Sequence, residues 1–149
     1  MKVLVATDGS EYSTYALWEF CRLFPNRSNL QIKVVSAYEE QYVLAATPYA
    51  LSAGQYQQLA DAAKMQAGHF TAVAADIIRG GDGDMDLTIK ILVGRPEEEI
   101  VELAENWGAD LIVVGSHGRG FIGRMIGSVS DAVVHHAPCS VLVIRRPKD

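Results

Sequence analysis

The chain is predicted to be an α/β protein, with a parallel sheet carrying helices on both faces. Three observations lead there. Short apolar runs alternate with longer stretches of helical periodicity, in the order β-α-β-α-β-α-β-α-β. Glycine and proline punctuate the junctions between them. A segment with five glycines, Gly115, Gly118, Gly120, Gly123 and Gly127, separates the apolar run Leu111–Val114 from the last helical pattern. In an open parallel sheet, ligands sit at the carboxyl ends of the strands, where the strand order reverses.

Each element has its own signature. Lys2 to Ala6 contains Val3-Leu4-Val5 and runs into Thr7-Asp8-Gly9-Ser10, a strand followed by a turn. Ser10 can cap the next helix, in which Tyr15, Trp18 and Cys21–Arg22 recur at helical spacing until Pro25 stops it. Leu30 to Ala37 is the second strand, with Leu30, Ile32 and Val34 alternating. Residues 38–51 form a long connection without a clear period. Ser52 opens a long helix whose buried stripe is expected to be Leu59, Ala63, Phe70, Val73 and Ile77. The stretch 79–84 is a turn, and Leu87 to Val93 is the third strand. Pro96 suits the first position of a helix. Glu97, Glu98 and Glu99 favour the positive end of its dipole, and Ile100, Leu103 and Ala104 supply its apolar face. Leu111 to Val114 is the fourth strand. A helix from about Gly127 carries Val129, Val133 and Ala137. Pro138 ends it, and Ser140 to Ile144 is the fifth strand.

The 149 residues suit one domain, residues 1–149, with one sizeable core. Apolar residues make up 49% and charged residues 21%, a soluble globular balance. A formal net charge of −5 argues against a nucleic-acid partner but leaves room for a bound nucleotide. No apolar run approaches membrane-spanning length. Asp8 and Glu11 interrupt any leader-like stretch in residues 1–20, so the expected location is the cytoplasm. Cys21 and Cys139 have no metal or redox spacing and read as small buried hydrophobes.

A strand that opens into glycines and then a helix is suited to holding phosphate. Glycines let the backbone approach the anion and take positive φ, and free amides at the helix start donate to its oxygens. Asp82-x-Asp84-x-Asp86 imitates the opening of a calcium loop but lacks the later glycine and glutamate. Gly118-x-Gly120-x-x-Gly123 fits a dinucleotide fingerprint by letter but lies in the fourth βα unit, without the acidic partner. Neither a P-loop nor a Gly-x-Ser-x-Gly elbow is present.

Taken together, Val3 to Ser10, Val93-Gly94-Arg95-Pro96, Ala109 to Gly118, Gly127-Ser128-Val129-Ser130 and His136 to Ile144 resemble the universal stress proteins over essentially the whole chain. The resemblance implies a three-layer sandwich like the adenine nucleotide alpha hydrolases, with a five-stranded parallel sheet of order 3-2-1-4-5. It also implies a homodimer through the C-terminal strand, Val141–Ile144. One branch of the family binds ATP through Gly-x₂-Gly-x₉-Gly-Ser/Thr. Here Gly115-x₂-Gly118 is followed by a gap of eight residues, Arg119 to Ile126, before Gly127-Ser128. All the glycines of the pattern are present, so the ATP-binding branch is favoured. The shorter gap leaves AMP or ADP open as the ligand.

The site expected on that basis is made of Ala6, Thr7, Asp8, Ala37, Val114, Gly115, His117, Gly118, Arg119, Arg124, Gly127, Ser128, Val129 and Ser130. Gly115 and Gly118 admit ribose and phosphate. The amides and hydroxyls around Ser128 and Ser130 meet phosphate, or those serines cap the helix. Asp8 contacts ribose, or Mg held through the phosphates, or else caps the first helix. Ala37 presents its backbone to the adenine edge, Val114 packs on the nucleotide, and Arg119 and Arg124 neutralise charge. His117 touches phosphate or ribose, and no catalytic residue is assigned. His135 and His136 are neighbours on a helix, so their rings diverge and make poor metal ligands. The favoured function is a stress-response regulatory module that binds an adenine nucleotide. The alternatives are a slow metal-dependent ATP hydrolase and a nucleotide-free dimeric scaffold.

Overall fold

A computed structural model describes residues 1–40, 51–80, 85–118 and 126–147. Strands β1 (Lys2–Ala6), β2 (Gln31–Tyr38), β3 (Asp86–Val93), β4 (Leu111–Gly115) and β5 (Ser140–Ile144) form one sheet. All its pairs are parallel, and the order is β3-β2-β1-β4-β5. Helices α1 (Glu11–Leu23), α2 (Ala53–Arg79), α3 (Pro96–Trp107) and α4 (Ser128–His136) alternate with the strands. Every element expected from the sequence is present, with ends displaced by a residue or two.

Two apolar layers hold the sandwich together. Val3, Val5, Ile32 and Val34 point to one face and pack on Ala16, Leu17 and Phe20 of α1 and Ala74 and Ile78 of α2. Leu4, Val35, Ile112 and Val114 point to the other and pack on Ile100 and Leu103 of α3 and Val133 of α4. The alternation follows from the two-residue period of a strand. Phe20 is fully buried, and a side chain of that kind contributes about 1.5–3 kcal/mol on burial.

Helix boundaries follow local chemistry. The Ser10 hydroxyl accepts from the Ser13 amide at 3.1 Å and caps α1. Ser52 and Gln55 form a reciprocal capping box at the start of α2. Pro96 occupies the first turn of α3, and Gly108 ends it in a left-handed conformation.

The buried stripe of α2 differs from the expected one. Its buried residues are Ala67, Thr71, Ala74, Ala75 and Ile78, whereas Leu59 and Val73 are exposed. Val73 stands out of phase with the buried Thr71, Ala74 and Ile78, whereas for Leu59 the physical reason is length. A helix of 27 residues runs roughly 40 Å, and the eight-residue strands beneath it run roughly 26 Å. Its first half therefore passes beyond the sheet. Trp18, read as part of the periodic face of α1, is also exposed, and both cysteines are half-buried and free rather than fully buried. No described helix is long and apolar enough to cross a membrane.

Candidate functional site

The strand order reverses between β1 and β4, so the loops that follow these neighbours diverge and leave a crevice. A cleft of about 420 Å³ lies there. Its lining draws on Ala6, Thr7, Asp8 and Ser13 from β1 and the start of α1, and on Val35, Ser36 and Ala37 from β2. Pro96 and Ile100 of α3 close the side next to β2. Val114, Gly115, His117, Gly118, Gly127, Ser128, Val129 and Ser130 form the other side. The cleft thus runs across the carboxyl end of β1, from an apolar wall at β2 and α3 to a glycine and serine wall at β4 and α4.

The glycine wall is stapled at both ends. The Gly127 amide donates to the Ser116 carbonyl at 2.8 Å. The buried Ser130 hydroxyl donates to the same carbonyl at 3.2 Å and to the Gly127 carbonyl at 3.0 Å. Gly127 is the N-cap of α4, without a side-chain cap. Ser128 and Ser130 therefore do not cap that helix, and no described side chain caps the amides of its first turn.

The glycines are needed here for space and not for unusual dihedrals. None of Gly115, Gly118 and Gly127 has positive φ, against expectation. A Cβ on Gly115 would sit 3.1 Å from the backbone of Tyr12 and Ser13, because α1 starts directly against the end of β4. On Gly127 it would meet the His117 Cα at 3.3 Å, and on Gly118 the Asp8 Oδ2 at 2.9 Å. Beside the cleft, the glycine with a left-handed backbone is Gly9, at φ +71°, in the turn after β1.

Asp8 closes that turn. Its Oδ1 accepts from the Ser10 amide at 3.0 Å, while Ser10 caps α1, so Asp8 does not serve as the helix cap. Its Oδ2 is the atom that faces Gly118. Thr7, Ser10 and Ser13 form a hydroxyl chain behind it, with Thr7 Oγ1 donating to Ser13 Oγ at 3.1 Å. His117 is buried, its Nδ1 lies 2.9 Å from Ser116 Oγ, and its ring lies 5.0 Å from that of Tyr12. Asp8 is the one carboxylate in the described lining. Among the described residues no group of three metal-ligating side chains forms. His135 and His136 are both exposed, each facing a carbonyl of its own helix.

The sequence model of the universal stress protein family matches residues 1–145. The chain belongs to that family. It is 53% identical over 55 residues to universal stress protein A homolog 2 of Coxiella burnetii, a match that covers 37% of this chain and only 38% of the relative. Universal stress protein UspA from Lactobacillus plantarum superposes with a TM-score of 0.80 at 25% identity, over 97% of both chains. A universal stress protein solved in complex with cAMP superposes at 0.61 with 29% identity, over 97% of this chain and 95% of that one.

Against this universal stress protein fold, the expected site residues can be placed one by one. Ala6, Thr7, Asp8, Ala37, Val114, Gly115, His117, Gly118, Gly127, Ser128, Val129 and Ser130 all line the one cleft. Arg119 and Arg124 lie outside the described residues. Ser13, Val35, Ser36, Pro96 and Ile100 also line it and were not expected. For Val35 a cue existed, since it shares a strand face with Ala37. Pro96 and Ile100 were read only as helix start and helix core, because a sequence does not tell which end of an apolar stripe borders a crevice.

Proposed function

We propose that this universal stress protein binds an adenine nucleotide, ATP or its products ADP and AMP, and acts as a stress-response regulatory module. The observation that carries the reading is the two-sided cleft at the β1–β4 reversal. Its volume suits a small ligand, as sites of about 300–1,000 Å³ do. Val35, Ala37, Pro96 and Ile100 offer an apolar slot for a purine. Gly115, Gly118 and the first amides of α4 offer a phosphate cradle. The cAMP complex of a relative supports the same ligand class. Occupancy acts by mass action, stabilising whichever state of the protein holds the nucleotide.

The second reading, a slow hydrolase, rests on Asp8. Its carboxylate faces Gly118, and a hard oxygen ligand of that kind fits Mg shared with nucleotide phosphates. Mg bound there would neutralise phosphate charge. The described lining adds no lysine and no second carboxylate to help it, so binding without rapid turnover is the better-supported function. The protein would work in the cytoplasm as a homodimer. Strand β5 ends the sheet with Val141, Leu142 and Val143 half-buried, an edge open to pairing with a second copy.

Denaturing the purified protein and resolving the supernatant by anion exchange tests the proposal. A stoichiometric adenine nucleotide is expected, and none after soaking with ATP, ADP or AMP would refute it. Turnover abolished by Asp8→Asn with binding retained would establish the hydrolase instead.

A further inference from the structure

Below the cleft, on the face of the sheet covered by α3, two lysines lie over one indole and a third stands on the neighbouring strand. Lys2, Lys33 and Lys90 come from β1, β2 and β3. The parallel register sets Lys33 beside Leu4 and Lys90 beside Val35, so all three point to the face that carries the α3 core. The Lys33 Nζ lies 4.3 Å from the centre of the Trp107 ring, and the Lys2 Nζ lies 5.7 Å from it. Lys2 also donates to the Trp107 carbonyl at 2.9 Å, at the negative end of α3. The ion pairs among the described residues involve none of these lysines. An acidic protein, net −5, thus concentrates three lysines at one place, and the Asp110 carboxylate beside them accepts from the Lys2 backbone amide at 2.7 Å. None of them lines the cleft.

We propose that Lys33 is an acylation site for small acyl phosphates, which Lys2 and Lys90 hold by the phosphoryl group. The middle lysine is the nucleophile because it alone is flanked by the other two. It is half-buried, whereas Lys90 is exposed. Burial, and then the charges of Lys90 and Lys2, hold the Lys33 ammonium below the usual lysine range, which raises the fraction present as free amine. Lys2, beyond its bond to the Trp107 carbonyl, and Lys90 offer N–H donors suited to phosphate oxygens. Trp107 holds the Lys33 ammonium over its ring, and loss of the proton frees the amine to attack.

The step balances. The Lys33 ammonium releases one proton to solvent, and the free Nζ attacks the acyl carbon. The bond from that carbon to the phosphate oxygen breaks, and the electron pair leaves with phosphate. The second proton lost from nitrogen ends on the phosphate. The products are an Nζ-acyl lysine, hydrogen phosphate and one proton, with no oxidant or reductant involved.

The test is incubation of the intact protein with acetyl phosphate, followed by peptide mass spectrometry of each lysine over time. The reference is Lys64, exposed on α2. Lys33 is expected to acetylate at least threefold faster than Lys64, and a rate no higher than that of Lys64 would overturn the proposal. Lys90→Gln changes an exposed residue and leaves the core intact. It should slow Lys33 with acetyl phosphate more than with the acetyl ester of N-hydroxysuccinimide, which has no phosphoryl group. Equal slowing with both reagents would overturn the docking role of Lys90.

Discussion

The Gly127 amide donates to the Ser116 carbonyl at 2.8 Å, and with the Ser130 hydroxyl on the same carbonyl it ties the start of α4 to the end of β4. With a gap of eight residues, Gly115, Gly118 and Gly127 all line one cleft.

Closing the approach at Gly118 should abolish the cradle. A Cβ there lies 2.9 Å from Asp8 Oδ2, so Gly118→Val displaces the carboxylate and fills the space above it. Nucleotide affinity is expected to fall at least tenfold, about 1.4 kcal/mol. Calorimetry on a variant with unchanged circular dichroism checks this.

Gly9 should be irreplaceable for stability. Its φ of +71° disfavours any side chain, and a Cβ would overlap the Phe70 ring at 2.2 Å. Gly9→Ala is expected to lose about 1–3 kcal/mol in urea unfolding. Phe70→Ala should relieve the overlap but not the dihedral, so the double variant is expected to show positive coupling and incomplete recovery.

Ser128 and Ser130 separate binding from structure. Ser130 is buried and holds two carbonyls, whereas Ser128 is exposed at the cleft. Ser130→Ala should cost about 1 kcal/mol of stability. Ser128→Ala should stay within about 0.5 kcal/mol of the parent yet weaken the nucleotide. Thermal melts with and without ATP distinguish the two.

The thiols should be sluggish. Burial pushes the Cys21 thiol above the usual range, and burial followed by the nearby Asp110 charge does the same to Cys139. Both therefore carry less thiolate than free cysteine at pH 8. Iodoacetamide is expected to alkylate them more slowly than a model thiol, with the rates still rising above pH 9. Alkylation at the model rate at pH 8 would contradict this.

Local rules were sufficient for much of this chain. Apolar runs such as Val3-Leu4-Val5, the capping serines Ser10 and Ser52, and Pro96 at a helix start each act within a few residues, so the elements and their order could be read directly. The clustering of Thr7, Asp8, Gly115 and Gly127 was legible too, because a parallel sheet collects the carboxyl ends of its strands at one edge. Tertiary structure decided what depends on distant chain. Leu59 is exposed because the sheet beneath α2 is shorter than the helix. Pro96 and Ile100 reach the cleft because α3 lies beside β2. The loop glycines serve close approach because α1 and Asp8 crowd them from another part of the chain. Periodicity reports which face of an element is apolar, but only packing determines what that face meets and where it ends.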